Sequence, residues 1–421
     1  MVTFRVPSGP LRADASVPGD KSLSHRALIL AGMAAGVSRV QGGGPGEDVA
    51  ATRRGLEALG VAFDGDLVSS AGIEGWTTPP GPIDAGNSAT TLRLMAGALA
   101  GRPFRATLVG DASLMRRPMG RLVAPLAALG ASVEVSPSGG PPVTVGGATL
   151  HGAHVRVPVA SAQVRSAAAL AALQAVGSST ITSPAGFRDH TERWLEAIGL
   201  GRRLSEVDFL VRPGPIPPAV WEVPGDLSSA SFLLAAAALR PGSEVTVRNV
   251  TLNPGRTGFL DVLEAAGARV ERRATGLAHG DPVGDVTVAG RQIRPVRVSG
   301  VLAVRTLDEL LLVALLAAAA TGETVVSGAA ELRVKESDRA AAAVGLVRSL
   351  GGEAAELPDG FTVSGRGGLT GGEVDARGDH RLAMAAAVAA VISPGGVSVQ
   401  GFEAAEVSWP GFAEALEALW S

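Results

Sequence analysis

The sequence predicts an α/β fold of two similar domains, each assembled from three βαβαββ modules. Two observations carry that expectation. Short polar clusters recur along the 421 residues, each followed by a stretch rich in Ala and Leu, at a spacing of roughly 70 positions. Hydrophobic residues make up 46% of the chain but aromatics only 4%, so the core must be built from Ala, Leu and Val at close helix and strand contacts rather than from rings.

The clusters are Asp20-Lys21-Ser22, Asn87-Ser88, Ser161-Ala162-Gln163, Asp226-Leu227-Ser228-Ser229, Asp308-Glu309 and Asp379-His380-Arg381. The apolar run after each is too long for a strand and free of internal proline, as in Ala27 to Ala35. Such a run reads as a buried helix, and the Asp, Asn or Ser before it as its N-terminal cap. Gly242-Ser243 then turns the chain into Glu244-Val245-Thr246-Val247-Arg248, a strand pattern. A second helix in most modules should stop at Leu59-Gly60, Leu129-Gly130, Ile198-Gly199, Ala266-Gly267 or Leu350-Gly351, where glycine supplies the left-handed residue. Six modules divide into three and three, with the Pro-rich stretch Pro213 to Pro224 as linker. If the capped helices run parallel, their N-termini converge on one face of each domain, and the cleft between domains attracts anions.

Composition excludes several chemistries. With no cysteine there is no disulfide, thiolate metal site or cysteine nucleophile. A net charge of −3 gives no global attraction to nucleic acid. The apolar runs Leu310 to Ala320 and Leu382 to Ile392 are short of the roughly 20 residues a bilayer crossing needs, and no export leader is legible at Met1 to Val6. The expected location is therefore cytoplasmic. Of 37 basic residues only Lys21 and Lys335 are lysine. A guanidinium serves wherever a surface cation suffices, but not where a compact ammonium must move protons. Both lysines are site candidates.

Their surroundings support that. Pro18-Gly19-Asp20-Lys21-Ser22-Leu23-Ser24-His25-Arg26 puts an ammonium, a hydroxyl and a guanidinium at the start of a helix, where phosphate or carboxylate fits. Asn87, Thr90 and Arg93 open the second module, and Arg116-Arg117-Pro118 precede its second helix. In the fifth module Asp308 sits at a cap position. Lys335 and Arg339, four residues apart, should share a helix face with Glu336 one step round, giving two cations beside a carboxylate. The bland reading of each cluster alone is a solvated ion pair or a cap; recurrence at matching points of six repeats argues otherwise.

Together, Pro18-Gly19-Asp20-Lys21-Ser22 with Arg26, Gly86-Asn87-Ser88-Ala89-Thr90, Arg117-Pro118-Met119-Gly120, Ser161-Ala162-Gln163, Arg333-Val334-Lys335-Glu336-Ser337-Asp338-Arg339 and Gly378-Asp379-His380-Arg381 resemble the 5-enolpyruvylshikimate-3-phosphate synthase family, in order along nearly the whole chain. The resemblance implies two domains, 20–223 and 1–19 with 224–421, each an inside-out α/β barrel, with helix N-termini facing the cleft between them. It implies a monomer that transfers the enolpyruvyl group of phosphoenolpyruvate to shikimate 3-phosphate, with no metal or organic cofactor. Lys21 would touch both substrates. Ser22, Arg26, Ser161, Gln163, Asp308 and Lys335 would hold shikimate 3-phosphate. Ala89, Arg117, Gln163, Arg339 and Arg381 would hold phosphoenolpyruvate, with His380 nearby as part of the catalytic set. Asp308 would take the hydroxyl proton and Glu336 handle the proton at the methylene carbon.

Three departures stand out. Ala89 occupies a position where many members have glycine, a pattern that resembles glyphosate tolerance. Ala162 and Phe187 stand where hydroxyls often meet the substrate phosphate, so Arg165 or Arg188 is expected to substitute. Val407 replaces a lysine that some members use on phosphoenolpyruvate. The competing reading within the fold is UDP-N-acetylglucosamine enolpyruvyl transferase, disfavoured by Ser22 after Lys21 and by the missing cysteine. A phosphate-binding loop at Gly42-Gly43-Gly44-Pro45-Gly46 lacks the following Lys. His151 and His154 lack further ligands for a metal. A non-catalytic anion-binding protein is the alternative of another class, and the retained Lys21, Asp308, Glu336 and Lys335 argue against it.

Overall fold

The computed structural model describes residues 1–420. The chain forms two compact units, one of Gly19–Pro224 with Leu277–Asp281, the other of Met1–Pro18, Gly225–Gly276 and Pro282 onward. Each has its own apolar core. Placement of Leu277–Asp281 with the first unit is announced by no sequence signal. His279, at positive φ, packs there against Trp194 and Trp221, ring centroids 5.1 and 4.8 Å apart.

Within the first unit the second module shows the plan. Strand Ile83–Asp84 leads through helix Ala89–Leu99 into the parallel strand Arg105–Val109, then through helix Val123–Ala127 into Val133–Glu134 and Val143–Gly146. The third repeats it with His154–Arg156, Ser179–Thr182, Gly201–Arg203 and Asp208–Val211. Three small sheets per unit result, helices inside and strands outside, rather than one closed barrel. Where the chain passes between units, the flanking strands pair within their own unit. Arg12–Ala15 pairs with Glu244–Thr251, and Val220–Glu222, at the end of the expected proline-rich linker, pairs with Ala35–Gln41.

Ala-rich composition lets the inner helices meet almost backbone to backbone. A Cβ placed at Gly97 of helix Ala89–Leu99 would lie 2.2 Å from the Ala167 carbonyl oxygen of helix Ala162–Ala172. The glycines expected to stop the second helices, Gly60, Gly130, Gly199, Gly267 and Gly351, all have positive φ.

Caps follow expectation in five repeats. Asp20 accepts from Leu23 N, Ser88 from Thr91 N, Ser161 from Val164 N, Asp226 from Ser228 N and Ser229 N, and Asp379 from Arg381 N. The fifth differs. Asp308 lies in a 3-10 turn, Leu307–Glu309, and helix Leu310–Ala319 begins with no side-chain cap. Its carboxylate is drawn instead to the cations described below. The shared helix face expected for Lys335 and Arg339 is also absent. Lys335 is extended at the end of the 3-10 turn Ala330–Val334, and the helix starts only at Arg339, because Asp338 caps it.

Candidate functional site

In the first unit the candidate residues sit at helix starts. Helix Lys21–Met33 begins on Lys21, whose Nζ is 3.0 Å from Asp48 Oδ2. Gly19, just before it, runs against the glycine turn, where a Cβ would lie 1.7 Å from Gly42 O. Gly44 N donates to Ser24 Oγ at 2.8 Å, so the Gly42-to-Gly46 turn braces this helix. Arg26 is buried and donates to Ser22 O, Ser166 Oγ and Thr191 Oγ1 at 2.7–2.8 Å. Burial brings its guanidinium down to about 10, still charged at neutral pH. Burial drives neighbouring His25 to about 3, so it stays neutral; its Nδ1 meets Thr52 Oγ1, which meets Thr91 Oγ1, each at 2.7 Å.

Arg117 donates to Asn87 Oδ1 at 2.6 Å, and Asn87 Nδ2 donates to Asp111 at 2.7 Å. Gln163 accepts from Arg93 and donates to Thr90 Oγ1 at 2.8 Å, while Arg93 also donates to Pro118 O. Ala89 is buried as the first residue of its helix. Ser161 caps the next helix, and Ser22 lies in the first turn of the Lys21 helix.

Arg165, one of the two candidates for a substitute anion ligand, lies in the core with its Nη2 making no hydrogen bond among the described residues. It is 1% exposed, bound to Glu192, Ser183 Oγ and the Val207 carbonyl, with Phe187 4.7 Å over its guanidinium. Burial pushes the Glu192 carboxyl up against the pull of Arg165. Arg188 is partly exposed and near enough to lower Arg26 electrostatically.

In the second unit the candidates converge. Arg339, 2% exposed, is held by Asp379 through Nε at 2.9 Å and Nη2 at 3.1 Å. Its Nη2 lies 2.7 Å from Glu336 Oε2, and its Nη1 3.4 Å from Asp308 Oδ1. Lys335 Nζ is 3.4 Å from the same Asp308 oxygen. Arg381 Nη1 donates to Asp308 O at 3.2 Å, and its Nη2 lies 3.8 Å from Asp308 Oδ2. Burial favours neutrality for Asp379, but Arg339 beside it, with His380 adding to the effect, holds its carboxyl at about 2. Burial likewise works against the charge of Arg339, yet Asp379, Glu336 and Asp308 raise its pKa. Three carboxylates thus share one buried guanidinium. Such a cluster binds anions through its cations and keeps carboxylates beside them as proton carriers.

Comparison with known proteins decides the family. The model of the EPSP synthase family (3-phosphoshikimate 1-carboxyvinyltransferase) matches residues 6–416. The chain belongs to the EPSP synthase family. Relatives named 3-phosphoshikimate 1-carboxyvinyltransferase from Desulforudis audaxviator and Synechococcus sp. are each 44% identical, covering 98% of this chain and 98% and 96% of theirs. A solved EPSP synthase from Acinetobacter baumannii superposes with a TM-score of 0.87 at 33% identity, over 99% of this chain and 97% of that one. The enolpyruvyl transferase NikO from Streptomyces tendae shares the fold, with a TM-score of 0.77 at 17% identity and 99% and 96% coverage.

Within this family member, sequence reasoning missed Asp48, Asp111 and Glu309 as partners of candidate residues. Asp48 had one legible signal, an acid in the first turn after a glycine run. Asp111 had none, because its partner Asn87 is 24 positions away.

Proposed function

We propose that the residues described above carry the family's reaction, and that the observation bearing most weight is Asp308 placed 3.4 Å from both Lys335 and Arg339 with Glu336 on the same arginine. The enzyme transfers the enolpyruvyl group of phosphoenolpyruvate to the 5-hydroxyl of shikimate 3-phosphate. The hydroxyl oxygen bonds to the enol carbon as its proton leaves to Asp308, and the methylene carbon gains a proton to become methyl. The tetrahedral adduct then loses a methyl proton and inorganic phosphate, regenerating the carbon–carbon double bond as the enol ether. Glu336 handles the carbon-bound proton, and Lys21 serves both substrates with an ammonium able to give and take protons. Arg117, Arg339 and Arg381 clamp the phosphate and carboxylate of phosphoenolpyruvate, where bidentate guanidinium contacts suit both groups, with Ala89 against this substrate and His380 beside it. Ser22, Arg26, Ser161, Gln163 and Lys335 hold shikimate 3-phosphate, Gln163 reaching both substrates, and Arg188 joins them where hydroxyl side chains are missing. Positioned donors and proton carriers suffice for this chemistry.

The reading includes a monomeric cytoplasmic enzyme with domains 20–223 and 1–19 with 224–421, acting on small molecules. Among the described residues no helix is long and apolar enough to cross a membrane. The test is phosphate release from phosphoenolpyruvate with shikimate 3-phosphate or UDP-N-acetylglucosamine as acceptor, with and without chelator. Release that requires shikimate 3-phosphate and ignores chelator supports the reading; turnover with the sugar nucleotide instead would transfer it to the competing acceptor.

A further inference from the structure

Glu309 follows Asp308 and is 2% exposed, yet the reaction as written has no use for a carboxylate there. Its position is the N-cap of helix Leu310–Ala319. In the other five repeats the side chain before or at that point bonds the helix backbone; Glu309 makes no such bond. Its Oε1 accepts from Ser228 Oγ at 2.5 Å and lies 3.8 Å from Arg381 Nη1. Ser228 Oγ in turn accepts from Arg256 Nη2 at 2.7 Å, and the same Nη2 is 2.7 Å from Asp226. Arg256 is itself buried. A chain of charge-assisted contacts therefore runs from Asp226 through Arg256, Ser228 and Glu309 to Arg381, linking the starts of helices Leu227–Leu239, Leu310–Ala319 and His380–Ala389.

A buried carboxylate is a poor way to gain stability, since well-packed apolar residues do as well. Arg381 has two carboxylates to choose from, Asp308 at 3.8 Å and Glu309 at 3.8 Å. We infer that Glu309 is a positioning residue that holds Arg381 off the Asp308 carboxylate, keeping the guanidinium available to phosphoenolpyruvate and the carboxylate available to the substrate hydroxyl. Remove the Glu309 charge and Arg381 has one remaining acid at that distance, so it closes on Asp308 and occupies both groups at once. The inference rests on the assignment of Arg381 to phosphoenolpyruvate made above.

Glu309→Gln keeps the shape and the acceptor for Ser228 but removes the charge. The expected result is a KM for phosphoenolpyruvate raised about tenfold, with the KM for shikimate 3-phosphate within about twofold. Ser228→Ala, which takes away the donor that anchors Glu309, should move the same constant in the same direction by a smaller factor, and it decides the matter if Glu309→Gln does not fold. Arg381→Lys is measured alongside. If Arg381→Lys raises the phosphoenolpyruvate KM and neither Glu309→Gln nor Ser228→Ala does, the inference is overturned and the Arg381 assignment stands. If Arg381→Lys leaves that KM unchanged, the assignment falls and the inference with it. Equal increases in both KM values with a lowered melting temperature would mark Glu309 as structural only and also overturn the inference.

Discussion

Replacing Asp379 by Asn isolates the charge that holds the second-unit cluster together. Asn still caps a helix, so the backbone bond to Arg381 N survives in kind and only the carboxylate is lost. That carboxylate is fully buried and meets Arg339 through two nitrogens. Breaking a buried pair by removing one partner costs about 3–5 kcal/mol. Glu336 and Asp308 still flank Arg339, which favours the lower end, about 3 kcal/mol. For a unit of this size that lowers the melting temperature by roughly 6–12 °C. The pH dependence has a definite sign. The folded carboxyl is held at about 2, below its ordinary 3.8, so its contribution is complete above pH 3.8 and is lost as pH falls through about 2. Thermal unfolding of both proteins at pH 7 and at steps down to pH 2 should show a full gap at neutrality that narrows only below pH 3.8. Phosphate release should fall by at least about 100-fold, because Arg339 is no longer fixed from behind and turns toward Glu336 and Asp308. A variant that melts within about 2 °C of the parent and keeps full activity would refute the view that Asp379 organises this cluster.

Other substitutions test single groups. Lys21→Arg keeps the charge beside Asp48 but loses the compact proton-carrying ammonium, so turnover should drop by about 100-fold or more with little change in melting temperature; activity above half of the parent's would exclude a proton-transfer role. Ala89→Gly removes one buried methyl at the start of its helix and should tighten glyphosate inhibition by about tenfold or more. An inhibition constant unmoved by the change would show that the methyl does not set tolerance. Arg188→Ala should raise the KM for shikimate 3-phosphate about tenfold and leave that for phosphoenolpyruvate within about twofold, measured by initial rates of phosphate release.

The repeat, the Ala-built core and the five glycine stops were legible because each depends on short-range chemistry: period, cap and left-handed turn. Both lysines stood out for a similar reason, since a nearly lysine-free chain marks the places where arginine cannot substitute. What the sequence could not determine is where a side chain spends its hydrogen bonds. Asp308 read as a cap, and the structure turns it to Lys335 and Arg339, 27 and 31 residues further along. Lys335 and Arg339 read as neighbours on one helix, yet Lys335 is extended and only Arg339 is helical, and they meet through Asp308 rather than through helical spacing. Arg165 read as a spare anion ligand, and the structure sets Glu192, Ser183 and Phe187 against it in the core. For Asp308 and Arg165 the deciding partners lie 18 or more residues away, and only folding brings them together, because a buried charge takes whichever counter-charge the packed backbone sets beside it.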